Sequence, residues 1–447
     1  MLQAITWFVG LGATVVLPIL IFIFGLILGT KPGKAFTSAL TVGVGFVGLN
    51  LVITLLTTTL GPAAQEMVKR FGLHLNTIDV GWPAASAISF GTTLGTLSIP
   101  IAILVNVILL VFGLTKTLNI DIWNLWHAAF IASLTYALTD SFVMGIIAIV
   151  VYTMMILFFA DVIGPQITKF YGFPDITFPH GTSAPGFFIA LPFNWLFDRI
   201  PGFKDWKADP ETIQKRFGIF GDSTVMGLII GLIIGILAGQ NFSQVAQLSV
   251  QTAAVLVLMP RMVSLLMEGL MPISEAAKSF IQKRFPGREL FIGMDSALSV
   301  GHPAVLSSSL LLVPITILLA AILPGNTTLP FGDLATIPFI VCLMAAVFNG
   351  NVIRTVIAGT FYMISILYVT SWVAPLVTSA AKAAKFNLEG HSQITALAEG
   401  GLWTTFMYIG GVKIMGWAIF AIVFVLLLAG MIYTRKIQPK RQASNGK

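Results

Sequence analysis

The sequence predicts an all-α polytopic membrane protein with about eleven transmembrane helices, arranged in two inverted repeats that contain re-entrant hairpins. Three observations lead to this class: an apolar composition, regularly spaced apolar runs, and a likeness between the two halves. Of the 447 residues, 56% are hydrophobic and only 10% are charged, and the mean hydropathy is +0.92. Soluble domains carry roughly 45–50% apolar and about 25% charged residues.

Uncharged apolar runs account for most of the expected helices, because a bilayer core needs roughly 20 apolar residues per span. The runs lie at 11–28, 36–60, 99–114, 142–160, 224–239, 245–260, 310–323, 352–372 and 415–433. Several further segments, ambiguous in hydropathy, bring the expected total to about eleven. The first run lacks the basic flank and small-residue cleavage site of a signal peptide, so we interpret it as a permanent helix.

The two halves align with each other when the chain is shifted by roughly 210 residues, a sign of internal duplication. The matches keep their order along the chain, which favours duplication over chance. They include Thr14 with Thr224, VGWPA at 80–84 with VGHPA at 300–304, Asp121 with Asp333, and Tyr152 with Tyr362.

Loop charges predict that the halves are inserted in opposite senses, since short loops rich in Lys and Arg stay in the cytoplasm. Lys31 and Lys34 follow the first helix, whereas the matching loop at 240–243 is uncharged. After the next helix the pattern reverses: residues 61–79 balance to zero, and residues 261–289 hold five basic and three acidic side chains. We expect five spans in each half, a final helix, an external N-terminus and a cytoplasmic basic tail.

Polar, proline-broken segments within this apolar chain indicate a binding site, because irregular backbone at membrane depth must be buried in protein or line a cavity. Prolines at 174, 179 and 185 interrupt residues 173–197, which favours a re-entrant hairpin. At its tip, PHGTSA (179–184) offers His180, Thr182 and Ser183. These groups could bind the hydroxyls of a sugar or polyol.

Three other segments contribute further candidate ligands for a polyol. Glu399 precedes a glycine pair in LAEGGLWTTF (397–406), and Asp295 and His302 lie in MDSALSVGHPAVLSSS (294–309). Asp121 and Asn124 lie in NIDIWNLWHAAF (119–130), and DVGWPAAS (79–86) is the repeat-related partner of 294–309. The alternative for His180 is that it satisfies backbone groups in a turn, and a purely structural role is likewise the alternative for Asp295 and His302. His127 stands beside Trp126, so an interfacial aromatic belt is its favoured interpretation.

Several enzyme classes are excluded by missing signatures. The chain has no GxxxxGK[ST], HExxH, CxxC or GxSxG motif, so phosphate-loop, metalloprotease, zinc and hydrolase chemistry is not indicated. Cys342 is the only cysteine, lies in an apolar run and cannot form an intrachain disulfide. We expect no metal and no cofactor. The net charge of +7 is concentrated in the tail and indicates a membrane anchor, with no nucleic-acid partner.

Several motifs, in order, resemble the galactitol-type IIC membrane component of the bacterial phosphoenolpyruvate-dependent phosphotransferase system, which shares a superfamily with the ascorbate permease. The resemblance covers residues from about 9 to about 433. The motifs are DVGWPA (79–84), IPIAILVNV (99–107), NIDIWNLWH (119–127), PHGTSA (179–184), QKRFGIFGD (214–222), TAAVLVLMPR (252–261), FGDLATI (331–337) and the glycine pair at 400–401.

The resemblance implies a homodimer in the bacterial cytoplasmic membrane, in which a mobile core carries a polyol past a fixed scaffold by an elevator-type motion. A separate IIB subunit, supplied by IIA, then phosphorylates the substrate from a phosphocysteine. The expected divisions are a first repeat 1–196 (scaffold 8–60, core and hairpin 80–196), a connector 197–222, a second repeat 223–411 (scaffold 223–260, core and hairpin 294–411), and a final helix and tail 412–447.

A general base near the attacking hydroxyl would assist phosphoryl transfer, and such bases are typically His or carboxylate groups. His180 is the first candidate and Glu399 the second. Residues 198–222 and 261–289 are candidate docking segments for IIB, with a plain solvated connector as the alternative. Two rival functions stay open at this point: an ion-coupled transporter that delivers an unmodified polyol, and a membrane assembly factor.

Overall fold

The computed structural model describes residues 13–70, 75–119, 121–201, 203, 223–284, 290–330, 332–384 and 393–437. Most of these residues are helical, as the predicted class requires. The start of the first expected run, most of the connector and the basic tail from residue 438 lie outside the described residues, as does the motif at 214–222.

The first half contains seven α-helices and three short strands in the described ranges. They are α1 (Ala13–Ile27), α2 (Pro32–Arg70), β1 (Thr77–Asp79), α3 (Gly81–Gly91), α4 (Thr93–Val111), β2 (Thr117–Asn119), a 3-10 turn (Ile122–Leu125), α5 (Trp126–Thr139), α6 (Phe142–Tyr171), β3 (Ile176–Thr177) and α7 (Ala184–Phe197).

The second half follows the same order of elements, with one short extra helix and a terminal helix. They are α8 (Ser223–Ala238), α9 (Phe242–Arg284), β4 (Phe291–Gly293), α10 (Ala297–Val300), α11 (Pro303–Ile322), β5 (Thr328–Leu329), a 3-10 turn (Leu334–Thr336), α12 (Ile337–Val347), α13 (Val352–Ala383), β6 (Gln393–Thr395), α14 (Leu397–Gly400), α15 (Trp403–Met415) and α16 (Ala418–Ile432).

Five helices in the described part of the chain are long and apolar enough to cross a membrane. They are Thr93–Val111, Phe142–Tyr171, Pro303–Ile322, Val352–Ala383 and Ala418–Arg435. Ala184–Phe197, Gly227–Ala238 and Ile337–Val347 are apolar but shorter. These helices are compatible with the multi-pass character expected from the sequence, whereas the count of about eleven spans stays a prediction.

The first two helices of each half pack together as one group. α2 lies along α9, α1 packs on α2, and α8 packs on both α9 and α2. α2 and α9 continue well beyond the apolar runs at 36–60 and 245–260, because a helix does not need to stay apolar where it leaves the hydrophobic surroundings. The scaffold assigned to these helices from the sequence stays a prediction.

Two small parallel sheets connect the halves, and the all-α prediction did not include them. One sheet has the order β5-β1-β6 and the other the order β2-β4-β3. Each central strand comes from one half and is flanked by two strands of the other; Ile78 pairs with both Leu329 and Ile394. Strands of two or three residues are too short to show a period-2 pattern, so no pattern in the sequence predicted them.

The proline-rich segment is non-helical over a shorter stretch than predicted. The chain leaves α6 at Gly172, where φ is +72°, pairs as β3, and turns through Pro179 to Ser183 before α7 begins. Pro185 lies in the first turn of α7, where a missing N–H costs no helical hydrogen bond. The result is an irregular, buried turn followed by a short apolar helix. The re-entrant position of this segment in a bilayer stays a prediction.

Candidate functional site

Glu399 lies at the centre of a buried polar cluster and binds side chains from the first half of the chain. Its Oε1 accepts a hydrogen bond of 2.5 Å from the Tyr152 hydroxyl, and its Oε2 lies 2.6 Å from His127 Nδ1. All three side chains are buried. Hydrogen bonds this short between buried side chains are geometrically restrictive, so Glu399 fixes the orientation of the His127 ring.

Local backbone features position Glu399 in this cluster. It belongs to α14, a single helical turn that follows β6, and its carbonyl accepts a hydrogen bond from the Thr405 hydroxyl. Gly401 comes next to this turn, and a Cβ there would lie 2.8 Å from Thr370 Cγ2 and 2.9 Å from Ile366 O. The glycine therefore allows the turn to pack directly on α13.

His180 connects the cluster to the segment that follows β4. Its ring centre is 4.6 Å from that of His127, edge to face, and its Nε2 lies 3.6 Å from Asp295 Oδ1. Ser183 Oγ is 3.2 Å from His180 Nδ1 and 2.6 Å from Ser296 Oγ. The irregular turn at 179–183 thus meets the segment after β4, and both halves supply its contacts.

Gly181 explains how the irregular turn reaches the Glu399 cluster. A Cβ at this position would lie 2.5 Å from Tyr152 Oη and 2.6 Å from His127 Nδ1, closer than side-chain atoms approach one another. The absence of a side chain therefore brings backbone into contact with both groups that bind Glu399.

Asp295 is the most exposed member of the site, with 21% of its side chain accessible, against 7% for His180. Its Oδ1 accepts a hydrogen bond from Ala297 N at 2.8 Å, and its own N–H donates to Asp121 Oδ2 at 3.1 Å. Asp121 therefore positions Asp295 through the backbone. The Asp295 carboxylate is a good acceptor for hydroxyl donors at the open edge of the cluster.

A second aspartate pair, Asp79 with Asp333, occupies the equivalent place at the other sheet. Asp79 accepts from the N–H groups of Gly81, Leu397 and Asp333. Asp333 accepts from Trp82 N, Ala398 N and the Thr336 hydroxyl. Both aspartates are fully enclosed. The Asp79–Asp333 pair holds strand ends together, whereas the Asp295 carboxylate faces His180 and is partly exposed.

The remaining candidates from the sequence lie at different distances from this centre. Thr182 is buried within the irregular turn. Asn124 is buried in the 3-10 turn before α5, and its amide N–H donates to Asn119 Oδ1. His302 caps α11, with Nδ1 accepting from Ala304 N at 3.2 Å, and its ring packs on Phe170. A role for these residues in binding stays a prediction.

Sequence reasoning gave His127 and Tyr152 no place in the site. His127 was assigned to an aromatic belt because of its tryptophan neighbours, yet it is fully buried and binds Glu399. Tyr152 was noticed only as a match to Tyr362 in the repeat. That match was an available signal, since a polar tyrosine recurring within two apolar helices needs a hydrogen-bond partner when buried.

The arrangement suits a neutral, hydroxyl-rich ligand. It combines two carboxylates, two histidines and two serines within an apolar surrounding, a typical composition for a small-molecule site with few polar groups. Within the described residues, no group of three or more His, Cys, Asp or Glu residues is arranged to hold a metal ion. Cys342 is buried, and its thiol donates to Phe339 O at 3.3 Å.

Comparison with known proteins identifies the family. A profile of the PTS system sugar-specific permease component, EIIC-GAT, matches residues 7–390. The chain is 40% identical over 432 residues to the PTS system galactitol-specific EIIC component of Escherichia coli K12, covering 97% of this chain and 96% of that protein, and the same figures hold for its counterpart in Escherichia coli O157:H7. A putative permease IIC component of Escherichia coli K12 is 38% identical over 400 residues, 89% of this chain and 91% of that protein. With its apolar helices, the chain therefore belongs to the family of sugar-specific permease components of the phosphotransferase system and is a multi-pass inner-membrane protein.

Proposed function

We propose that this protein binds a polyol, with galactitol as the first candidate, carries it across the cytoplasmic membrane and presents it to a phosphorylated IIB subunit. The observation that carries this proposal is the buried cluster around Glu399 and His180, built from both halves of a chain that belongs to the permease family. The relatives described as galactitol-specific support the choice of substrate.

Hydroxyl recognition is the chemistry that the cluster supports best. Asp295 can accept hydrogen bonds from hydroxyls, and His180, Ser183 and Thr182 can donate or accept. Asp121 acts through the backbone N–H of Asp295. His302 and Asn124 are further candidate contacts for the polyol. Glu399 acts indirectly, by orienting the side chains of His127 and Tyr152. A polyol carries no charge, so a site with few fixed charges around one accessible carboxylate matches it.

Phosphoryl transfer to the bound polyol needs positioning and charge stabilisation more than covalent chemistry from the permease. A hydroxyl oxygen of the polyol attacks phosphorus, and the phosphorus–sulfur bond to the IIB cysteine breaks. The attacking hydroxyl must lose its proton to a base. The sequence favours His180 and then Glu399 for this role, but both Glu399 oxygens already accept hydrogen bonds from Tyr152 and His127.

The movement that we propose is an elevator-type displacement of a core against the α1–α2–α8–α9 group, in a homodimer. Two features support two oppositely inserted repeats: the same order of elements in both halves, and strands exchanged in the same way in both sheets. Carriers built from inverted repeats hold their substrate at the repeat interface. The loop charges favour an external N-terminus and a cytoplasmic C-terminus.

The IIB subunit is proposed to dock on the cytoplasmic connector and on the charged end of α9. Arg354 holds the first residues of the connector, since its guanidinium donates to Asp198 Oδ1 at 2.7 Å and to Phe203 O at 3.2 Å. The charged residues at 261–284 continue α9 beyond its apolar part. Together these segments would offer a mixed-charge surface to a soluble partner.

Reconstitution decides between group translocation and ion-coupled transport. Purified protein in liposomes is supplied with IIA, IIB, the general phosphotransferase proteins, phosphoenolpyruvate and labelled galactitol. Labelled galactitol phosphate on the IIB side is the expected product. Accumulation of free galactitol without phosphoenolpyruvate would instead establish the ion-coupled alternative, which the family membership does not favour.

A further inference from the structure

Two buried side-chain atoms beside the cluster have no hydrogen-bond partner among the residues that the structure describes. They are Asn124 Oδ1 and His127 Nε2. Asn124 is 4% exposed and His127 is completely buried. Because the great majority of buried polar atoms are hydrogen-bonded, two exceptions this close in the chain require an explanation. The residues lie three positions apart across the junction of a 3-10 turn and α5, so they occupy the same helical face.

The contacts of the neighbouring atoms show that both free atoms are acceptors. Asn124 uses its amide nitrogen to donate to Asn119 Oδ1 at 3.0 Å, which leaves the amide oxygen. The Tyr152 hydroxyl donates to one Glu399 oxygen and His127 Nδ1 lies on the other, so we assign the imidazole proton to Nδ1, where a carboxylate accepts it. Nε2 then carries a lone pair, as expected for a histidine whose tautomer is set by its partner.

The other two asparagines that are buried among the described residues have partners for their oxygens. Asn106 Oδ1 accepts from Asn119 N at 2.9 Å, and Asn326 Oδ1 accepts from Thr328 N at 3.1 Å. Both of these asparagines tie the backbone of a strand to the preceding helix. Asn124 therefore differs from its structural counterparts in leaving its oxygen available to a donor from outside the protein.

We propose that Asn124 Oδ1 and His127 Nε2 form a hydroxyl subsite for the polyol, in which His127 is the catalytic base and Glu399 is its positioning residue. Two acceptors on one helical face complement two O–H donors of a vicinal diol, a group that every polyol contains. This assignment rests on the proposed function and replaces His180 and Glu399 as the base. His180 then packs on the His127 ring and faces Asp295.

The step balances in atoms and charge. The attacking hydroxyl gives its proton to His127 Nε2, its oxygen forms a bond to phosphorus, and the phosphorus–sulfur bond to the IIB cysteine breaks. The cysteine leaves as a thiolate, and the imidazolium that forms on His127 is stabilised by the Glu399 carboxylate at 2.6 Å. A carboxylate that orients and stabilises a histidine base is an established catalytic arrangement.

Variants that each remove one of the two acceptors test the assignment. His127→Asn keeps an amide nitrogen near the position of Nδ1 but lacks Nε2, so galactitol phosphorylation should fall about 100-fold or more. Asn124→Leu removes the second acceptor and should weaken equilibrium binding of labelled galactitol about 10-fold. Thr153→Val is the matched control, since it also removes a buried oxygen without a partner in the described residues but lies outside the cluster.

Glu399→Gln tests whether Glu399 positions His127 or only contributes to packing. A glutamine amide can donate to His127 Nδ1 and so move the imidazole proton to Nε2, which abolishes the acceptor while keeping size and shape. The pH profile of phosphorylation should then lose the limb that reports the base. A purely structural Glu399 would lower the amount of folded protein and leave the profile of the remaining activity unchanged.

The outcomes distinguish this assignment from the proposed function. Wild-type protein that neither binds nor phosphorylates galactitol would refute the proposed function before any variant is compared. Wild-type activity together with unchanged rates in His127→Asn and unchanged binding in Asn124→Leu would overturn the subsite alone. If a thermal unfolding assay shows that His127→Asn does not fold, binding to Asn124→Leu decides instead. Galactitol and hexitols that lack one hydroxyl are then compared. A deoxy hexitol that binds wild-type protein more weakly than galactitol does, but binds Asn124→Leu as well as galactitol does, identifies the hydroxyl that Asn124 contacts.

Discussion

His180, in the irregular turn of the first half, faces Asp295, which follows β4 of the second half, with 3.6 Å between His180 Nε2 and Asp295 Oδ1. The two residues belong to different halves and lie 115 positions apart in the sequence. Their meeting depends on the sheet in which β3 and β2 flank β4, since Met294 N donates to Thr177 O beside this contact. The small sheets therefore have a structural consequence: they fix the two halves of the polar cluster relative to each other.

His180→Ala should abolish galactitol binding without unfolding the protein. The side chain touches the His127 ring, Ser183 and Asp295, so its loss opens the centre of the cluster, while the surrounding helices keep their packing. Equilibrium binding and thermal unfolding of the same preparation measure the two effects. Unchanged uptake in this variant would remove His180 from the site.

Asp295→Asn should weaken binding by about 10-fold or more, because it replaces an ionisable acceptor at the accessible edge by a neutral amide. The backbone N–H that donates to Asp121 is unaffected by the substitution, so we expect little change in stability. The variant Asp79→Asn is its matched comparison at the other sheet. Similar binding in Asp295→Asn and wild type would show that the exposed carboxylate does not contact the substrate.

Asp79→Asn should reduce stability and leave the binding chemistry in place. Asp79 accepts only backbone N–H groups, and an amide would direct its own N–H₂ against at least one of them. Hydrogen bonds to charged groups contribute about 1.5–3 kcal/mol each, so a clear fall in the midpoint of thermal unfolding is expected. A midpoint equal to that of wild type would contradict the role of Asp79 and Asp333 in holding the strand ends together.

Gly181→Ala should impair phosphorylation more than most alanine substitutions. The new methyl group would meet Tyr152 Oη and the His127 ring, both of which bind Glu399. Forcing extra volume into a packed interior typically costs about 1–3 kcal/mol, and here the movement would displace the candidate base. Phosphorylation rates are compared with those of Gly113→Ala, because an added Cβ at Gly113 would have no heavy atom within 4 Å. Because φ at Gly113 is +65°, thermal unfolding must accompany that control.

The sequence could identify the polar, proline-broken segments because they contrast with an apolar background. His180, Ser183, Asp295 and Glu399 were all predicted in this way, and the structure brings them together. The likeness between the two halves was detectable because the matched residues keep their order. The family followed from motifs spread over most of the chain.

What the sequence could not provide depends on long-range packing. His127 is buried between helices and binds a residue 272 positions away, a relationship that no local pattern encodes. The two sheets consist of strands of two or three residues, which have too few side chains to show a period. Gly181 is one of 42 glycines, and only the close approach of Tyr152 and His127 distinguishes it.

Opposite insertion of the two halves predicts where two equivalent turns lie. Lys31 lies in the turn between α1 and α2, and Asn241 lies in the matching turn between α8 and α9. Because Lys and Arg are retained in the cytoplasm, we expect Lys31 at the cytoplasmic face and Asn241 at the external face.

Single cysteines at these positions, in a Cys342→Ala background, are treated in intact cells with a thiol reagent that does not cross the membrane. Labelling of Asn241→Cys alone is expected before lysis, and labelling of both after lysis. If both cysteines react in intact cells, or neither does, the turns share one face and the halves are inserted in the same sense, which would also remove the argument for a substrate site at the interface of inverted repeats.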